Sequence, residues 1–171
     1  MMLRRTTVMS AVLLTAAAML TGCEKPRPLA TVFSGSSSVG REALCWSSEP
    51  TRPIDAADCL VNEGSGTLSE ADAAELDEYV ATLTVNSGQT IGISVDPEVA
   101  ESGWSVSVNG RRRNADLIDS TYFRFELSER DFRGRSLELQ VIAPTSDLTQ
   151  RRGLWVFELR PASADPAADA E

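Results

Sequence analysis

Over the second half of the chain, apolar and polar residues alternate with a period of two, which is typical of half-buried β-strands. The apolar positions of these predicted strands are Leu83 and Val85; Ile91, Ile93 and Val95; Trp104, Val106 and Val108; Phe123, Phe125 and Leu127; and Leu137, Leu139 and Val141. Residues 154–159 are apolar on both faces, which predicts a strand in the centre of a sheet.

The first half of the chain carries weaker signals of regular structure. Residues 29–33 and 39–44 flank a Ser-rich and Gly-containing stretch and predict a hairpin with a longer loop. Residues 69–80 begin with a capping serine and carry acids in the first turn, which predicts one short helix. Together the elements predict a mainly β protein, an immunoglobulin-like antiparallel β-sandwich of seven or eight strands over residues 29–160. Residues 161–171 are rich in Ala, Asp and Pro and predict a disordered tail.

The amino terminus has the pattern of a bacterial lipoprotein signal. Arg4 and Arg5 precede an apolar run at residues 8–20 that is too short to span a bilayer, and Leu-Thr-Gly then leads directly into Cys23. We predict that residues 1–22 are removed, that Cys23 carries lipid, and that the protein is anchored to the extracytoplasmic face of the cell membrane. The alternative is an ordinary secretory signal that is cut elsewhere, with Cys23 incidental.

Residues 23–28 predict a very short tether between the lipid and the folded body. Alternating prolines favour a stiff, extended segment. Such a segment would hold Lys25 and Arg27 near the lipid headgroups, where anionic lipids would attract both side chains.

Two further cysteines remain after Cys23 is assigned to lipid. Cys45 and Cys59 form an even pair in an oxidising compartment, which predicts a structural disulfide. The chain-entropy model gives such a ring a stabilisation of roughly 3 kcal/mol. A redox or metal-binding pair is the alternative, but the long interval between these cysteines does not resemble Cys-x-x-Cys.

Charge and composition exclude several classes of function. The formal net charge of the chain is -9, with acids concentrated in residues 42–101 and arginines in residues 102–160. This balance argues against nucleic-acid binding, which needs a basic surface. The chain contains no histidine, which excludes Ser-His-Asp and Cys-His hydrolysis and the usual zinc and blue-copper sites. We therefore predict no catalytic residue, no cofactor and no metal ion, although enzymes built on carboxylates alone remain open.

Residues 96–104 are the most distinctive internal run and allow two interpretations. In the structural one, Pro97 ends a strand, the acids lie in a solvent-exposed turn, and Trp104 starts the next strand in the core. In the functional one, the run is a recognition loop: a partly exposed Trp104 stacks on a glycan or peptide while Asp96, Glu98 or Glu101 accepts hydrogen bonds. Asp96 and Glu101 also allow a carboxylate-pair glycosidase, which nothing else in the sequence favours.

Three consecutive arginines follow the Asn-Gly turn at residues 109–110. Arg111, Arg112 and Arg113 would point to different sides of an extended loop, so at most two can grip one anion. Such runs are usually solvated. The sharper hypothesis is a contact with phosphate groups of lipid headgroups or wall polymers.

Several stretches together resemble a known family. They are Cys23-Glu24-Lys25-Pro26 with Pro28-Leu29-Ala30-Thr31-Val32, the Cys45 and Cys59 pair, Ile93-Ser94-Val95-Asp96-Pro97-Glu98-Val99-Ala100 running on to Gly103-Trp104, and Gly153-Leu154-Trp155-Val156-Phe157. The chain resembles an actinobacterial lipoprotein family known only as domain of unknown function 2771. The resemblance implies a cell-envelope lipoprotein with no assigned reaction or cofactor. Residues 62–80 depart from it, because they are longer and more acidic than the family leads us to expect.

The sequence thus favours a non-enzymatic, lipid-anchored β-sandwich that binds an envelope protein or wall polymer. A carboxylate-dependent envelope enzyme is the first alternative, and a deep pocket holding two acids would distinguish it. A structural accessory subunit of a membrane complex is the second, and an exposed apolar patch would favour it.

Overall fold

The computed structural model describes residues 25–54, 59, 79–128, 130–132 and 136–162. The predicted signal peptide, Cys23, and the tail beyond residue 162 lie outside the described residues, as does nearly all of the helix predicted at residues 69–80.

The described residues form ten strands and one five-residue helix. In chain order they are β1 Leu29–Ser34, β2 Ser37–Glu42, β3 Cys45–Trp46, β4 Ala81–Val85, β5 Thr90–Val95, α1 Pro97–Glu101, β6 Ser105–Val108, β7 Arg111–Arg112, β8 Tyr122–Glu126, β9 Leu137–Pro144 and β10 Arg151–Pro161. Eight of these strands have four residues or more, and β3 and β7 have only two each.

The strands form two sheets that pack face to face. Sheet A has the order β2-β1-β5-β8, and sheet B has the order β3-β10-β9-β6-β7 with β4 also paired to β10. All pairs are antiparallel except β4 with β10, which is parallel. The prediction of a mainly β, two-sheet sandwich is therefore confirmed, while the specifically immunoglobulin-like arrangement stays a prediction.

The core lies between the two sheets and follows the alternation of the sequence. Ala30 and Val32 of β1 and Ile91 and Ile93 of β5 are fully buried from one side. From the other side come the inward residues of β6, β9 and β10, which include Val106, Val108, Leu137, Leu139, Val141, Trp155, Phe157 and Leu159. Each strand of this core contributes every second residue, as the period of two requires.

Strand β10 is central in sheet B, as its apolar sequence predicted. Its inner face joins the main core, whereas Leu154 on its outer face packs with Leu44, Cys45 and Cys59 in a second, smaller cluster. The predicted Cys45–Cys59 disulfide is present, with 5.4 Å between the Cα atoms. The disulfide thus fixes a cover over the outer face of β10, which explains why this strand is apolar on both sides.

Two local predictions differ from the structure. The turn expected after β5 is the helix α1, because Pro97 at its first position has a backbone already suited to a helix and Val99 and Ala100 bury their side chains. The hairpin between β1 and β2 also has a shorter turn than expected. Ser34 pairs with Ser37, and Gly35 adopts a φ of 59° that glycine tolerates.

Candidate functional site at the amino-terminal end

Residues 25–28, the described part of the predicted tether, contact the folded body. Pro28 is buried, and its carbonyl accepts hydrogen bonds from the backbone N–H of Ala43 at 3.0 Å and from the indole N–H of Trp155 at 2.9 Å. An acceptor that ties a buried tryptophan to the chain start cannot leave without exposing an unpaired donor. The fold therefore begins before β1.

Arg27 is held by the same surface. Its Nη1 donates to the carbonyl of Leu44 at 2.8 Å and to that of Ala43 at 3.3 Å, and its guanidinium carbon lies 5.7 Å from the ring centre of Tyr79. The attraction of Arg27 to anionic headgroups stays a prediction. The structure adds that main-chain carbonyls of Ala43 and Leu44 accept hydrogen bonds from its guanidinium.

Lys25 forms an ion pair with Glu98 of α1. The lysine side chain is 75% exposed and the glutamate 28% exposed, so the pair lies at the surface. The position of Lys25 near the lipid headgroups stays a prediction. The ion pair with Glu98 places the start of the described chain beside α1.

A cleft of about 520 Å³ opens beside this ion pair. Its lining brings together residues from the chain start, the β3 region, α1 and the start of β10, among them Lys25, Trp46, Ser48, Glu98, Glu101 and Arg152. Four charged side chains therefore line one concave surface. Two of them are cations and two are carboxylates.

Arg152 is the most unusual residue of the cleft. It is only 4% exposed, its guanidinium carbon lies 4.2 Å from the ring centre of Trp46, and its Nη2 donates to the main-chain carbonyl of Glu98 at 3.2 Å. Its Nε is buried and has no hydrogen-bond partner. Burial lowers the pKa of Arg152. The negative charges of Glu98 and Glu101 oppose that shift, although neither carboxylate forms an ion pair with the guanidinium. Among the described residues, no carboxylate forms an ion pair with this guanidinium.

Glu101 is the complementary case. It is exposed, lines the same cleft, and makes no ion pair with any residue in the described part of the chain. Glu98 is already paired with Lys25. The cleft thus holds a buried cation and an exposed carboxylate, each without an opposite charge in direct contact.

The pairing of β3 with β10 builds the wall of the cleft. Gly153 is opposite Trp46 in this pair, and a Cβ atom on Gly153 would lie 2.5 Å from Cε3 of Trp46. Trp46 also meets Trp155 with ring centres 5.7 Å apart. Only glycine lets the indole approach β10 closely enough to cover the Arg152 guanidinium.

Trp104 is not part of a recognition surface. It is fully buried, its indole N–H donates to the carbonyl of Ser120 at 2.7 Å, and its ring meets Phe123 edge-on at 6.3 Å. The structural interpretation of Trp104 is confirmed, and the prediction of a loop that stacks this indole on a glycan or peptide is wrong. The alternating pattern of β6 carries Trp104 to the inner face.

The three acids predicted beside Trp104 separate into two roles. Asp96 accepts a hydrogen bond from the backbone N–H of Leu29 at 2.8 Å, so it joins the start of β1 to α1. Glu98 and Glu101 lie in the cleft described above. The candidate site therefore keeps Glu98 and Glu101 and does not include Asp96 or Trp104.

The three arginines predicted as an anion contact differ in their exposure and in their partners. Arg111 and Arg112 are exposed on β7, whereas Arg113 forms an ion pair with Asp131 and lies 5.6 Å from the ring centre of Phe125. Arg113 is thus part of the body. Only Arg111 and Arg112 remain available to an anion.

These arginines lie far from the cleft along sheet B. The register across β7, β6, β9 and β10 places Arg111 level with Phe157, through Val108 and Leu139. Phe157 is five residues from Arg152 on β10. Five residues of an extended strand span about 17 Å. The arginine run and the candidate site are therefore at separate places on sheet B.

Sequence reasoning missed Arg152 and Trp46. One signal was available, since Arg152 is a charged residue at the start of a run that is otherwise apolar. Its burial, however, depends on the contact with Trp46, and β3 is too short to show a periodic pattern.

Comparison of the chain with protein-family models, with curated proteins and with solved structures finds no match. In the described part of the chain, no helix has the length and apolar character needed to cross a bilayer. Within the same residues, no three Cys, Asp or Glu side chains are grouped closely enough to hold a metal ion.

Proposed function

We propose that this protein is a cell-envelope lipoprotein anchored by lipid on Cys23, and that its β-sandwich is a non-enzymatic binding module on the extracytoplasmic face of the membrane. The signal pattern of residues 1–23 supports the anchor. The Cys45–Cys59 disulfide fits an oxidising compartment. The resemblance to the actinobacterial lipoprotein family implies the same location, and the partner is an envelope protein, a wall polymer or the membrane itself.

One observation carries this proposal. Residues 25–28, which we call the docked chain start, contact the folded body and leave almost no free tether after Cys23. Lys25 is paired with Glu98 and Pro28 is buried, so the body begins two residues after Cys23. Two extended residues span at most about 7 Å. A lipid on Cys23 would therefore hold the amino-terminal end of the sandwich directly at the headgroup layer.

The cleft supports a binding role for this end of the molecule. Arg152 and Glu101 line one concave surface, and the carboxylates of Glu98 and Glu101 act on Arg152 without forming an ion pair with it in the described part of the chain. A buried cation with no carboxylate in direct contact favours a ligand that brings an anionic group. The cleft opens beside Lys25 and hence beside the proposed anchor.

The anchor is tested by expressing the full chain and its Cys23→Ser variant in a bacterium that processes lipoproteins. We expect the parent chain in the membrane fraction, with a mature terminus at Cys23 that carries the mass of a diacylglyceryl group. The variant should lack this lipid mass and should no longer fractionate like the parent chain. Glu24→Gln is the matched control and should remain lipidated. A mature chain that starts at another residue, or a Cys23→Ser variant with unchanged fractionation, would contradict the proposal.

A further inference from the structure

The charges of the cleft define the ligand that it can take. Lys25 and Glu98 form an ion pair, whereas Arg152 and Glu101 line the same cleft and influence each other only through space. A ligand with one charge would make direct contact with one of these two groups only. A ligand with an anionic and a cationic group would satisfy both.

The anionic group belongs at Arg152. A guanidinium carries five N–H donors in a planar fork, and the acceptor that Arg152 contacts among the described residues is the carbonyl of Glu98. Its stack on Trp46 holds the plane of the fork in place. A phosphate suits this group because its oxygens can accept two parallel hydrogen bonds from the guanidinium.

The cationic group belongs at Glu101. This carboxylate is exposed at the rim of the cleft, whereas Arg152 is at its buried wall. An ammonium attached to the phosphate by a short linker would therefore point outward from Arg152 towards the rim. Ser48 is also exposed there and adds a hydroxyl that can donate to or accept from such a ligand.

The position of the cleft indicates where such a molecule would come from. If Cys23 is lipidated as proposed, Lys25 on the cleft wall lies within about 7 Å of the anchor residue. The molecules at that level of the bilayer are phospholipid headgroups. This source rests on the proposed function, whereas the charge complementarity of the cleft does not.

We infer that the cleft lined by Arg152 and Glu101 binds a phosphate–ammonium group of the phosphoethanolamine type, with the phosphate at Arg152 and the ammonium at Glu101. The two sources of this chemistry are a phospholipid headgroup and a free headgroup compound.

The inference is tested on the chain from residue 23 onward with Cys23→Ser, which contains every described element of the fold. Glycerophosphoethanolamine, glycerophosphoglycerol and ethanolamine are titrated separately, with binding followed by calorimetry and by NMR shifts of the tryptophan indoles. We expect glycerophosphoethanolamine to bind about tenfold more tightly than either of the others, because it alone makes both charged contacts.

Glu101→Gln is the deciding variant because Glu101 is exposed and its replacement leaves the core untouched. We expect this variant to bind glycerophosphoethanolamine about tenfold more weakly and to bind glycerophosphoglycerol no more weakly than the parent chain does. Glu126→Gln changes a comparably exposed glutamate on β8 and should alter neither affinity. Arg152→Gln should abolish binding of both phosphates. If that variant fails to fold in a denaturant titration, the Glu101→Gln comparison still decides.

The inference is overturned if glycerophosphoethanolamine does not bind, if it binds no more tightly than glycerophosphoglycerol, or if Glu101→Gln leaves its affinity unchanged.

Vesicles separate the two sources of the ligand. Binding to phosphatidylglycerol vesicles that rises when phosphatidylethanolamine is added supports a membrane lipid, whereas binding of the soluble compound alone supports a free ligand. Because the tested chain carries no lipid, a failure here is distinct from a failure of the Cys23 anchor.

Discussion

Two arginines of the folded body lie largely away from solvent, yet they differ in their partners. Arg113 pairs with the carboxylate of Asp131, and their side chains are 21% and 13% exposed. Arg152 is more deeply buried and contacts a main-chain carbonyl and an aromatic ring instead. The first arrangement satisfies its charge within the fold. The second leaves a charge that an external anion can match, which is why we assign the candidate site to Arg152.

The Arg113–Asp131 pair makes stability depend on pH. Burial alone would raise the pKa of Asp131, but hydrogen bonds from Arg113 and Ser128 outweigh it and hold the pKa below its usual 3.8. An aspartate with a lowered pKa in the folded state stabilises the protein above its unfolded pKa and loses that contribution as the pH falls through the folded pKa. Stability is thus fully present near neutral pH and declines below about pH 4.

We predict that Asp131→Asn lowers the free energy of unfolding by about 1 kcal/mol at pH 7. The difference from the parent chain should shrink at pH 3, because that pH is below the usual aspartate pKa of 3.8 and protonation then favours the unfolded parent chain. Urea unfolding at the two pH values measures both quantities, with Glu126→Gln as an exposed control. A penalty of equal size at both pH values would show that the carboxylate charge of Asp131 is not the source of the stabilisation.

At the scale of elements, β10 organises sheet B. It pairs with β9 along one edge and with β3 and β4 along the other, and it buries residues on both faces. Its outer face depends on the segment that the Cys45–Cys59 disulfide closes. The second cluster, formed by Leu44, Cys45, Cys59 and Leu154, exists only while that segment stays in place.

We predict that Cys45→Ser combined with Cys59→Ser lowers the free energy of unfolding by roughly 3 kcal/mol, because the unfolded chain regains the entropy that the ring removes. Replacing both cysteines avoids leaving a single reactive thiol. Guanidinium titrations under oxidising conditions measure the loss. If the native fold persists, the slope of the unfolding free energy against guanidinium concentration should change little. Added reductant should destabilise the parent chain and not the double variant. A double variant as stable as the parent would contradict the role assigned to the ring.

Strands with a clear period of two were predictable, as was the β1–β2 hairpin from the Ser-rich and Gly-containing stretch between its strands, whereas the shorter elements were not. The strands at Ile91, Phe123, Leu137 and residues 154–159 all appear where the alternation placed them. By contrast, β3 and β7 have two residues each, and α1 has five, which is too short for any periodic signal. The parallel pairing of β4 with β10 joins residues far apart in the chain, and alternation within a strand carries no information about its neighbour.

The candidate site was predictable only in part for the same reason. Glu98 and Glu101 stood out because acids cluster around Pro97, but Trp104 proved to belong to the core. Arg152 and Trp46 become a site only through the β3–β10 pair. A pattern along the chain can reveal a face of a strand, whereas it cannot reveal which distant side chain covers that face.

At the scale of the whole molecule, exposed charges lie at two separate places on sheet B. Lys25, Glu98, Glu101 and Arg152 lie around the cleft. Of the exposed arginines, Arg111 is level with Phe157 and Arg112 with Val156, so they lie about 17 Å and about 13 Å further along the strands. With the anchor at Cys23, the cleft would face the membrane and these arginines would face the wall. The hypothesis that the arginine run contacts phosphate of wall polymers therefore fits this orientation, whereas contact with lipid headgroups does not.

This orientation gives the last prediction. A fluorophore is attached to a single new thiol at Ser48→Cys, beside the cleft, or at Arg112→Cys, on β7, since both positions are exposed and Cys45 and Cys59 are joined in a buried disulfide. In the lipidated chain on vesicles with spin-labelled headgroups, the label at residue 48 should be quenched strongly and the label at residue 112 weakly. The same labels on the chain with Cys23→Ser should show no such contrast. Equal quenching at both positions in the lipidated chain would mean that the body lies on its side or swings freely, and the docked chain start would then not set its orientation.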